Sequence, residues 1–573
     1  MSMTYGDVDL VRGASAFDEE WYLWRYPDVA KTGLDPAEHF LRFGALMGRD
    51  PGPDFSTSAY LSANPDVAAA GLNPLLHYVK YGQAEGRRVL PLETWRDDTT
   101  PAPVSQVARL RERLLTLGFT EQPLMDLGEI ATSDPDPKAR TQASMELAQW
   151  RMRRAGEADF YTALDHLSAA AHDAGECAAD AAFMARLATL EILCNFHTGN
   201  RDAALQALRR AVFERALTPD VLLAWSNFED LDGMRVRWIN AALGVTDVEP
   251  IALTCDDRRP AYDRLTVNGD PATVSEGPKV SVLVAAYRAA RTLPTALRSL
   301  QAQSWRNLEI IVIDDASPDP ETRAVAERFA AADPRIRVLS MTQNGGAYVA
   351  RNHGLDAATG DYVTLHDADD WAHPRRIETQ VRFLEANPGV LGCTSQQARA
   401  TPDLRFLRWT GGGVFTIRNT SSFLFRRAPM RADFGYWDVV RVSADSELIR
   451  RIQAKLGRGS VRHLDTGPLA FQRDTGGSAV ASGPLAINGF AYGARKLYRD
   501  AQRHAHRAGG LRYRGDPART AFPVPRLMRV RTDDGGRHFP VILGSEFRMQ
   551  GGSVRSCVEE LRCARAHGIR TGV

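Results

Sequence analysis

The sequence predicts an α/β fold from residue 278 onward, a mostly parallel sheet with helices on both faces, preceded by all-α repeat and helical regions. Three observations carry this reading. Short β-branched runs alternate with helical stretches after residue 278, which is the signature of a parallel sheet. A 38-residue unit occurs twice near the N-terminus. Between the two, Ala, Leu and Arg recur with helical period from about 104 to 245.

The repeat comes first along the chain. Phe17, Tyr22, Pro27, Asp28, Val29, His39, Gly44 and Arg49 return as Phe55, Tyr60, Pro65, Asp66, Val67, His77, Gly82 and Arg87. Each unit reads as helix, turn, helix and a Gly-rich exit. Such units bury their apolar faces on each other. The pattern suits a packing framework or a docking module, and His39 and His77 read as packing residues. Residues 91–103 (PLETWRDDTTPAP) read as a linker, and GNRDAALQALRRAVFERA (199–216) as half of a tetratricopeptide-like hairpin. The expected organisation is 1–92 repeats, 93–250 helical domain, 251–505 α/β domain, 506–537 basic linker and 538–573 a final βα unit.

Within the α/β region, VSVLVAAY (280–287), LEIIVIDDAS (308–317), IRVLSM (336–341) and DYVTLHDADD (361–370) are expected strands. TLPTALRSLQAQS (292–304) and PETRAVAERFAAA (320–332) are the helices between them. Ligands of open α/β sheets bind beyond the carboxyl ends of the strands. Those ends carry Tyr287, Asp314, Asp315, Asp367, Asp369 and Asp370. Three carboxylates this close repel unless a cation is shared, and hard oxygen ligands suit Mg²⁺ or Mn²⁺.

Bulk properties bound the rest. The chain has 573 residues, which at roughly 100–200 residues per domain predicts three or more domains. A formal net charge of +1 gives no bias toward nucleic acid. No apolar run reaches spanning length, the first residues lack a secretory pattern, and six scattered cysteines read as reduced thiols. A cytoplasmic protein is expected.

In order, these motifs resemble the family 2 glycosyltransferases, which have the GT-A fold, over about 210 residues. PKVSVLVAAY matches the opening strand of that family, IIVIDDASPD its second strand, and QNGGAYVARNHGL (343–355) its Ala-Arg-Asn segment. GDYVTLHDADDWAHP matches its metal strand, FGYWDVVRVSADSELIRRI (434–452) the segment of its catalytic base, and FQRDTGGS (471–478) its later loop. The resemblance implies that Ala285 and Tyr287 line a base pocket, Asp315 accepts a hydrogen bond from the base, and Arg351 contacts base or phosphates. It implies that Asp367 holds ribose or metal, Asp369 binds the metal, Asp445 is the general base, Arg473 holds the diphosphate, and Trp371 stacks on an acceptor sugar. Two departures stand out: AAYR (285–288) where the family often has Pro-Thr-Tyr-Asn, and Ala444–Asp445 where it often has Glu-Asp. Glu447 is therefore a rival base, on a different face of the same helix. His366 reads as packing, His373 as a turn residue, and Gly411–Gly413 as a flexible loop.

The activity implied is inverting transfer from a nucleoside diphosphate sugar, UDP-sugar favoured, to the hydroxyl of a glycan or lipid-linked acceptor in surface polysaccharide or glycoconjugate synthesis. The alternative is a non-catalytic scaffold with a vestigial transferase fold, in which the repeats recruit partners. Eleven Arg or Lys between 495 and 531 face two Asp, so the stretch is either a solvated basic face or a contact with an anionic membrane or glycan. Residues 538–573 resemble the opening of a GT-B glycosyltransferase domain, and a single βα unit leaves the strand VILGSEF without flanking strands. The expectation is the front part of a longer, two-transferase polypeptide.

Overall fold

A computed structural model describes residues 5–573 except 15, 27, 53–54, 58–59, 62–63, 86, 88–104, 118, 177–179, 257, 268, 270–271, 410–412, 476–484, 486–492, 515–519, 530–540, 543–551, 570 and 573. The expected linker 91–103, Gly411–Gly412, the end of FQRDTGGS, Arg519 and Arg531 lie outside the described residues. Two compact units are present, Met1–Arg109 and Leu110–Val573.

In the first unit the matched positions make the same contacts twice. Tyr22 Oη bonds His39 Nδ1 at 3.0 Å, and Tyr60 Oη bonds His77 Nδ1 at 2.9 Å. A Cβ on Gly44 would stand 2.0 Å from the Tyr22 hydroxyl, and one on Gly82 would stand 2.2 Å from that of Tyr60. Both glycines are therefore required by close approach. Arg49 pairs with Asp28 at 2.6 Å and Arg87 with Asp66 at 2.7 Å. Asp35 and Asn73 cap short helices with Pro at the first turn, where a missing N–H costs nothing. Phe17, Tyr22, Val29, Phe40, Phe55, Tyr60 and Val67 share one apolar core. Packing alone accounts for these repeated residues.

The second unit opens with a helical layer, including Pro137–Arg154, Ala181–His197, Pro219–Ser226 and Asp232–Gly244. A hairpin of β1 (Ile251–Leu253) and β2 (Leu265–Val267) follows. Then come β3 (Val280–Ala286), β4 (Leu308–Asp314), β5 (Ile336–Ser340), β6 (Tyr362–Leu365), β7 (Trp371–Ala372), β8 (Gly392–Ala400), β9 (Ile417–Arg418), β10 (Leu424–Arg426) and β11 (Val461–Arg473). They form one sheet in the order β5-β4-β3-β6-β10-β8-β11-β7, with β9 on β8.

Among the described residues four of the eight strand pairings in that sheet match the expected parallel arrangement, β8 with β11 among them. β5, β4, β3 and β6 are parallel. β10 runs antiparallel to both β6 and β8, and β7 antiparallel to β11. The sheet is mixed because no crossover helix separates β8, β9 and β10; parallel neighbours need one. Strand alternation sends Val280, Val282, Val284, Ile310 and Val312 to the helices Leu293–Gln301, Pro320–Ala332 and Arg376–Ala386. Leu283, Ile311, Ile313, Val363 and Leu365 face the helices Ala347–Ala357 and Ala444–Leu456. Period 2 on a sheet covered on both faces produces this division.

Two expected boundaries dissolve in the packing. The helical layer shares one core with Trp371, Ala398, Phe406 and Phe471 of the α/β region. Asn227 exchanges two hydrogen bonds with the Phe406 backbone, and Asp220 accepts from the Phe415 and Thr416 N–H groups. A cut at 250 therefore crosses a continuous core. Nor is 506–537 a free linker in its described part. Tyr513, Phe522, Val524 and Met528 are buried in the core cluster that includes Tyr498 and the sheet-covering helices. The ion pair Glu447–Arg451 is fully buried there, with Arg451 3.5 Å from the Tyr513 ring centroid. At the end of the chain β12 (Val541–Ile542) pairs in parallel with β13 (Thr571–Gly572), and the helix Gly552–Ala566 joins them. This βαβ unit does not identify a GT-B domain. Among the described residues, no helix is long and apolar enough to cross a membrane.

Candidate active site

The carboxyl ends of β3, β4 and β6 deliver the acidic residues to one place. β4 ends at Asp314, so Asp315 is the first residue of the loop. Its N–H reaches Ala286 O at 2.9 Å, and its carboxylate accepts from Gly345 N at 2.7 Å and Gly346 N at 2.8 Å. Asn344 Nδ2 donates to Asp315 O at 3.1 Å. Asp315 is thus tied into the loop that opens the helix Ala347–Ala357. Burial pushes its carboxyl up, and the two backbone N–H groups oppose that.

β6 ends at Leu365, earlier than the sequence predicts. The acids of Asp367-Ala368-Asp369-Asp370 therefore occupy a turn between β6 and β7 rather than a strand end. Asp370 is buried, and Asp367 and Asp369 are partly open. Burial, then the Asp367 charge, pushes Asp369 up to about 6. Burial, then Asp369, raises Asp370 well above the usual carboxylate range. Two arginines lie within electrostatic reach below them. Burial lowers Arg376 to about 10, with Asp370 and Asp367 opposing, and burial lowers Arg399.

Asp445 enters from the first turn of the helix Ala444–Leu456. Its carboxylate accepts from Tyr348 Oη at 3.0 Å and from Arg351 Nη1 at 3.2 and 3.0 Å. The second Arg351 amino group, Nη2, donates to Asp367. Arg351 therefore bridges the expected base and the expected metal residue. Burial raises Asp445, with the Arg351 charge opposing. Glu447 points elsewhere on the same helix, paired to Arg451 and bonded to His506 Nε2 at 2.9 Å. Burial alone would raise it, but Arg451 and His506 hold it below the usual range.

Other expected residues divide. Ala285 is half-buried at the end of β3 beside the core. Tyr287 is 45% exposed with Arg288 against its ring, free to meet a ligand. Trp371 differs from the expectation: it is 2% exposed and stacked on Phe471 at 5.6 Å, so its indole is core and not an acceptor platform. The β7–β11 pairing turns it inward. Arg473 is also committed elsewhere. Its guanidinium pairs with Asp263 and stacks on Tyr262 at 4.1 Å, so it is not free for a diphosphate here. His366 is buried near Ser299 Oγ at 3.5 Å. His373 Nδ1 accepts from Arg375 N at 3.2 Å, a turn role, while its Nε2 contacts Glu249 O at 3.0 Å.

Sequence reasoning missed Tyr348, Asp263 and the strained backbone. Tyr348 was legible: it precedes Arg351 by three on a helix, so the two share a face. Arg288, Ala316 and Ser443 carry φ of 51°, 52° and 74° without being glycine. All three lie at the mouth of the site, where left-handed backbone outside glycine concentrates.

Among the described residues, no three His, Cys, Asp or Glu side chains converge as a metal cage. A cation could still take Asp369, whose carboxylate has no ion-pair partner among the described residues, together with Asp367. Both supply hard oxygens, and the raised carboxyl at Asp369 is what a shared cation would relieve.

Comparison with known proteins finds a family-model match within this segment. Residues 281–445 match the family model of glycosyl transferase family 2. The match ends at Asp445 and spans the loops just described. Putative glycosyltransferase EpsE of Bacillus subtilis is 41% identical over 112 residues, covering 20% of this chain and 40% of that protein. Succinoglycan biosynthesis protein ExoO of Rhizobium meliloti is 35% identical over 117 residues, covering 20% and 33%. Amylovoran biosynthesis glycosyltransferase AmsB of Erwinia amylovora is 38% identical over 112 residues, covering 19% and 36%. The chain thus spans well under half the length of these relatives. Among solved structures, S. aureus TarS 1–349 in complex with UDP-GlcNAc overlaps with a TM-score of 0.31 at 17% identity, covering 40% of this chain and 65% of that one. The mannosyltransferase PcManGT from Pyrobaculum calidifontis, in complex with GDP-Man and Mn²⁺, gives 0.30 at 19%, covering 42% and 66%. Overlaps this small carry no argument. The likeness to glycosyl transferase family 2 rests on the matched sequence of residues 281–445.

Proposed function

We propose that this protein is an inverting, metal-dependent glycosyltransferase that moves a sugar from a nucleoside diphosphate sugar to an acceptor hydroxyl. The observation that carries the reading is the convergence of Asp315, Arg351, Asp367, Asp369 and Asp445 at the carboxyl ends of one parallel half-sheet. The relatives in succinoglycan and amylovoran biosynthesis support a role in building polysaccharide. UDP-sugar is the favoured donor, a glycan or lipid-linked hydroxyl the acceptor, and the cytoplasm the place of action, with peripheral contact to the inner face of the membrane as a second option.

The geometry suits single displacement. Asp315, with Tyr287 and the Ala285 backbone, lines the side where a base would enter. Asp445 is the proton acceptor. Its carboxylate offers about four acceptor sites and uses three on Tyr348 and Arg351, so one remains for the acceptor hydroxyl. As Asp445 takes that proton, the oxygen attacks the anomeric carbon, and the bond to the diphosphate breaks with its electron pair leaving on phosphate oxygen. A divalent cation on Asp367 and Asp369 would supply charge neutralisation on that diphosphate. Arg351 keeps Asp445 and Asp367 in fixed relation during the step.

Incubation with a panel of nucleotide sugars and Mn²⁺ tests this, with released nucleoside diphosphate as the signal. Hydrolysis or transfer from one donor, lost in chelator and in Asp369→Asn, is expected. Wild-type turnover in chelator would overturn the metal assignment. Absence of any turnover and of any nucleoside diphosphate binding would overturn the activity.

A further inference from the structure

The loop that bears Asp369 and Asp370 is held from outside the family-matched segment. Tyr262 and Asp263 belong to the short helical turn Ala261–Arg264 that leads into β2. Tyr262 is fully buried. Its hydroxyl accepts from Trp371 N at 3.1 Å and donates to Phe471 O. It thereby joins the residue just after the acids to the strand β11 beside them. Asp263 pairs with the guanidinium of Arg473 and accepts from Thr295 Oγ1 at 2.6 Å. Arg473 completes the chain of contacts. Its N–H donates to Asp370 Oδ1 at 3.0 Å, and its Nε donates to Asp369 O at 3.1 Å. The turn is itself anchored on the helical layer, where Arg264 pairs with Asp232 at 3.1 Å, and on the segment after β8, where Tyr262 N reaches Pro402 O at 2.9 Å.

We infer that Tyr262 and Asp263 are positioning residues for the metal loop, so that the helical layer and its hairpin form part of the active-site scaffold. This rests on the transferase reading above. The physical reason is specific. Asp367, Asp369 and Asp370 place three carboxylates within four residues of one turn, where like charges repel, and the turn's own hydrogen bond, Asp370 N to Asp367 O, is long at 3.3 Å. The Tyr262 hydroxyl holds the backbone at Trp371 and ties it to Phe471 of β11, while Arg473 holds the Asp369 carbonyl with its side chain and the Asp370 carboxylate with its N–H. Asp263 matters because it fixes Arg473: without it, a buried guanidinium would seek the acids directly and neutralise them. Partners of metal ligands at this remove are typically worth about 10–100-fold in metal affinity.

The test measures binding of UDP, GDP and dTDP as a function of Mn²⁺ concentration, on full-length protein well below its melting temperature. Tyr262→Phe and Asp263→Asn are expected to raise the Mn²⁺ needed for half-saturation about tenfold or more. Thr295→Val, which loosens only Asp263, should raise it by a smaller factor. Ser281→Ala is the control, since it removes a buried hydrogen bond at the opposite end of the sheet; it should lower the melting temperature and leave the Mn²⁺ requirement unchanged. If Tyr262→Phe does not fold, Asp263→Asn and Thr295→Val decide. Clamp variants that match wild type in Mn²⁺ requirement would overturn the inference while leaving the transferase reading intact. A wild type that binds none of the three nucleoside diphosphates would overturn that reading, and the inference with it.

Discussion

The two ends of the parallel half-sheet treat carboxylates in opposite ways. At the amino end, Glu309 of β4 is buried and fully occupied. Ser281 Oγ donates to it, as do Thr359 N at 2.6 Å, Gly360 N at 3.1 Å and Lys279 Nζ at 3.2 Å. Burial alone would raise its pKa, but these donors hold it at about 2. At the carboxyl end, burial and mutual repulsion raise Asp369 and Asp370, and the charged donors nearby are shared among several acids. The lesson is that burial does not separate a structural acid from a functional one. What separates Glu309 from Asp369 is the number of donors each carboxylate receives. Acids left short of partners on a rigid frame are prepared for something that is not part of the chain.

The largest effect expected is on activity at the under-partnered end. Asp369→Asn should abolish transfer, measured as nucleoside diphosphate release. The same change should leave metal-free thermal stability equal or raise it by about 1–3 kcal/mol, because a half-buried, repelled charge is removed. A destabilised Asp369→Asn would make the acid structural and break the contrast.

Next in size is the base. Asp445→Asn should cut turnover by roughly 10²–10⁴-fold with nucleoside diphosphate binding nearly intact. Glu447→Gln should do the reverse. It unpairs fully buried Arg451 and should cost about 3–5 kcal/mol in urea unfolding, with turnover per folded molecule preserved. The opposite ranking would move the base to Glu447.

Glu309→Gln probes the satisfied end. It should cost about 1–2 kcal/mol at pH 7 by chemical denaturation, with screening through partly exposed Lys279 limiting the effect. The sign follows from the depressed pKa. The contribution is present above the unfolded value near 4.5 and fades as pH falls through about 2, so wild type and variant should converge in strong acid. Turnover should not change. The smallest effects belong to the repeats, where Tyr22→Phe and Tyr60→Phe each break one buried Tyr–His bond. Each should cost about 0.5–1.5 kcal/mol, in near-equal amounts, without touching nucleoside diphosphate binding. Unequal losses would show that the two units differ beyond their matched residues.

Much of this could be read before any coordinates. Strand alternation in VSVLVAAY and LEIIVIDDAS announced two covered faces, and the helix Pro320–Ala332 falls where its Pro and Ala pattern predicts. The acids at 315, 367, 369 and 445 were legible as chemistry because their order along the chain is itself a pattern. Trp371 was misread because an aromatic beside an acidic loop looks available until a pairing strand turns it inward. The fate of Arg473 was hidden because its partner, Asp263, is 210 residues away in sequence. The linker reading of 506–537 failed for a related reason: basic composition reports on charge, and the buried positions Tyr513, Phe522 and Met528 are too sparse to show a period.

By itself the sequence determined the alternation of strands and helices, the twofold repeat with its Tyr–His and Gly pairs, and the identity of the acids. These are local or periodic properties, set by side-chain period and by residue type along a short stretch. Tertiary structure alone decided which carboxylate is held by donors and which is left short, that Arg351 joins Asp445 to Asp367, and that the helical layer reaches the turn Asp367–Asp370 through Tyr262 and Asp263. Those depend on distances between residues far apart in the chain, and burial, charge and hydrogen bonding act through distance in space rather than along the sequence.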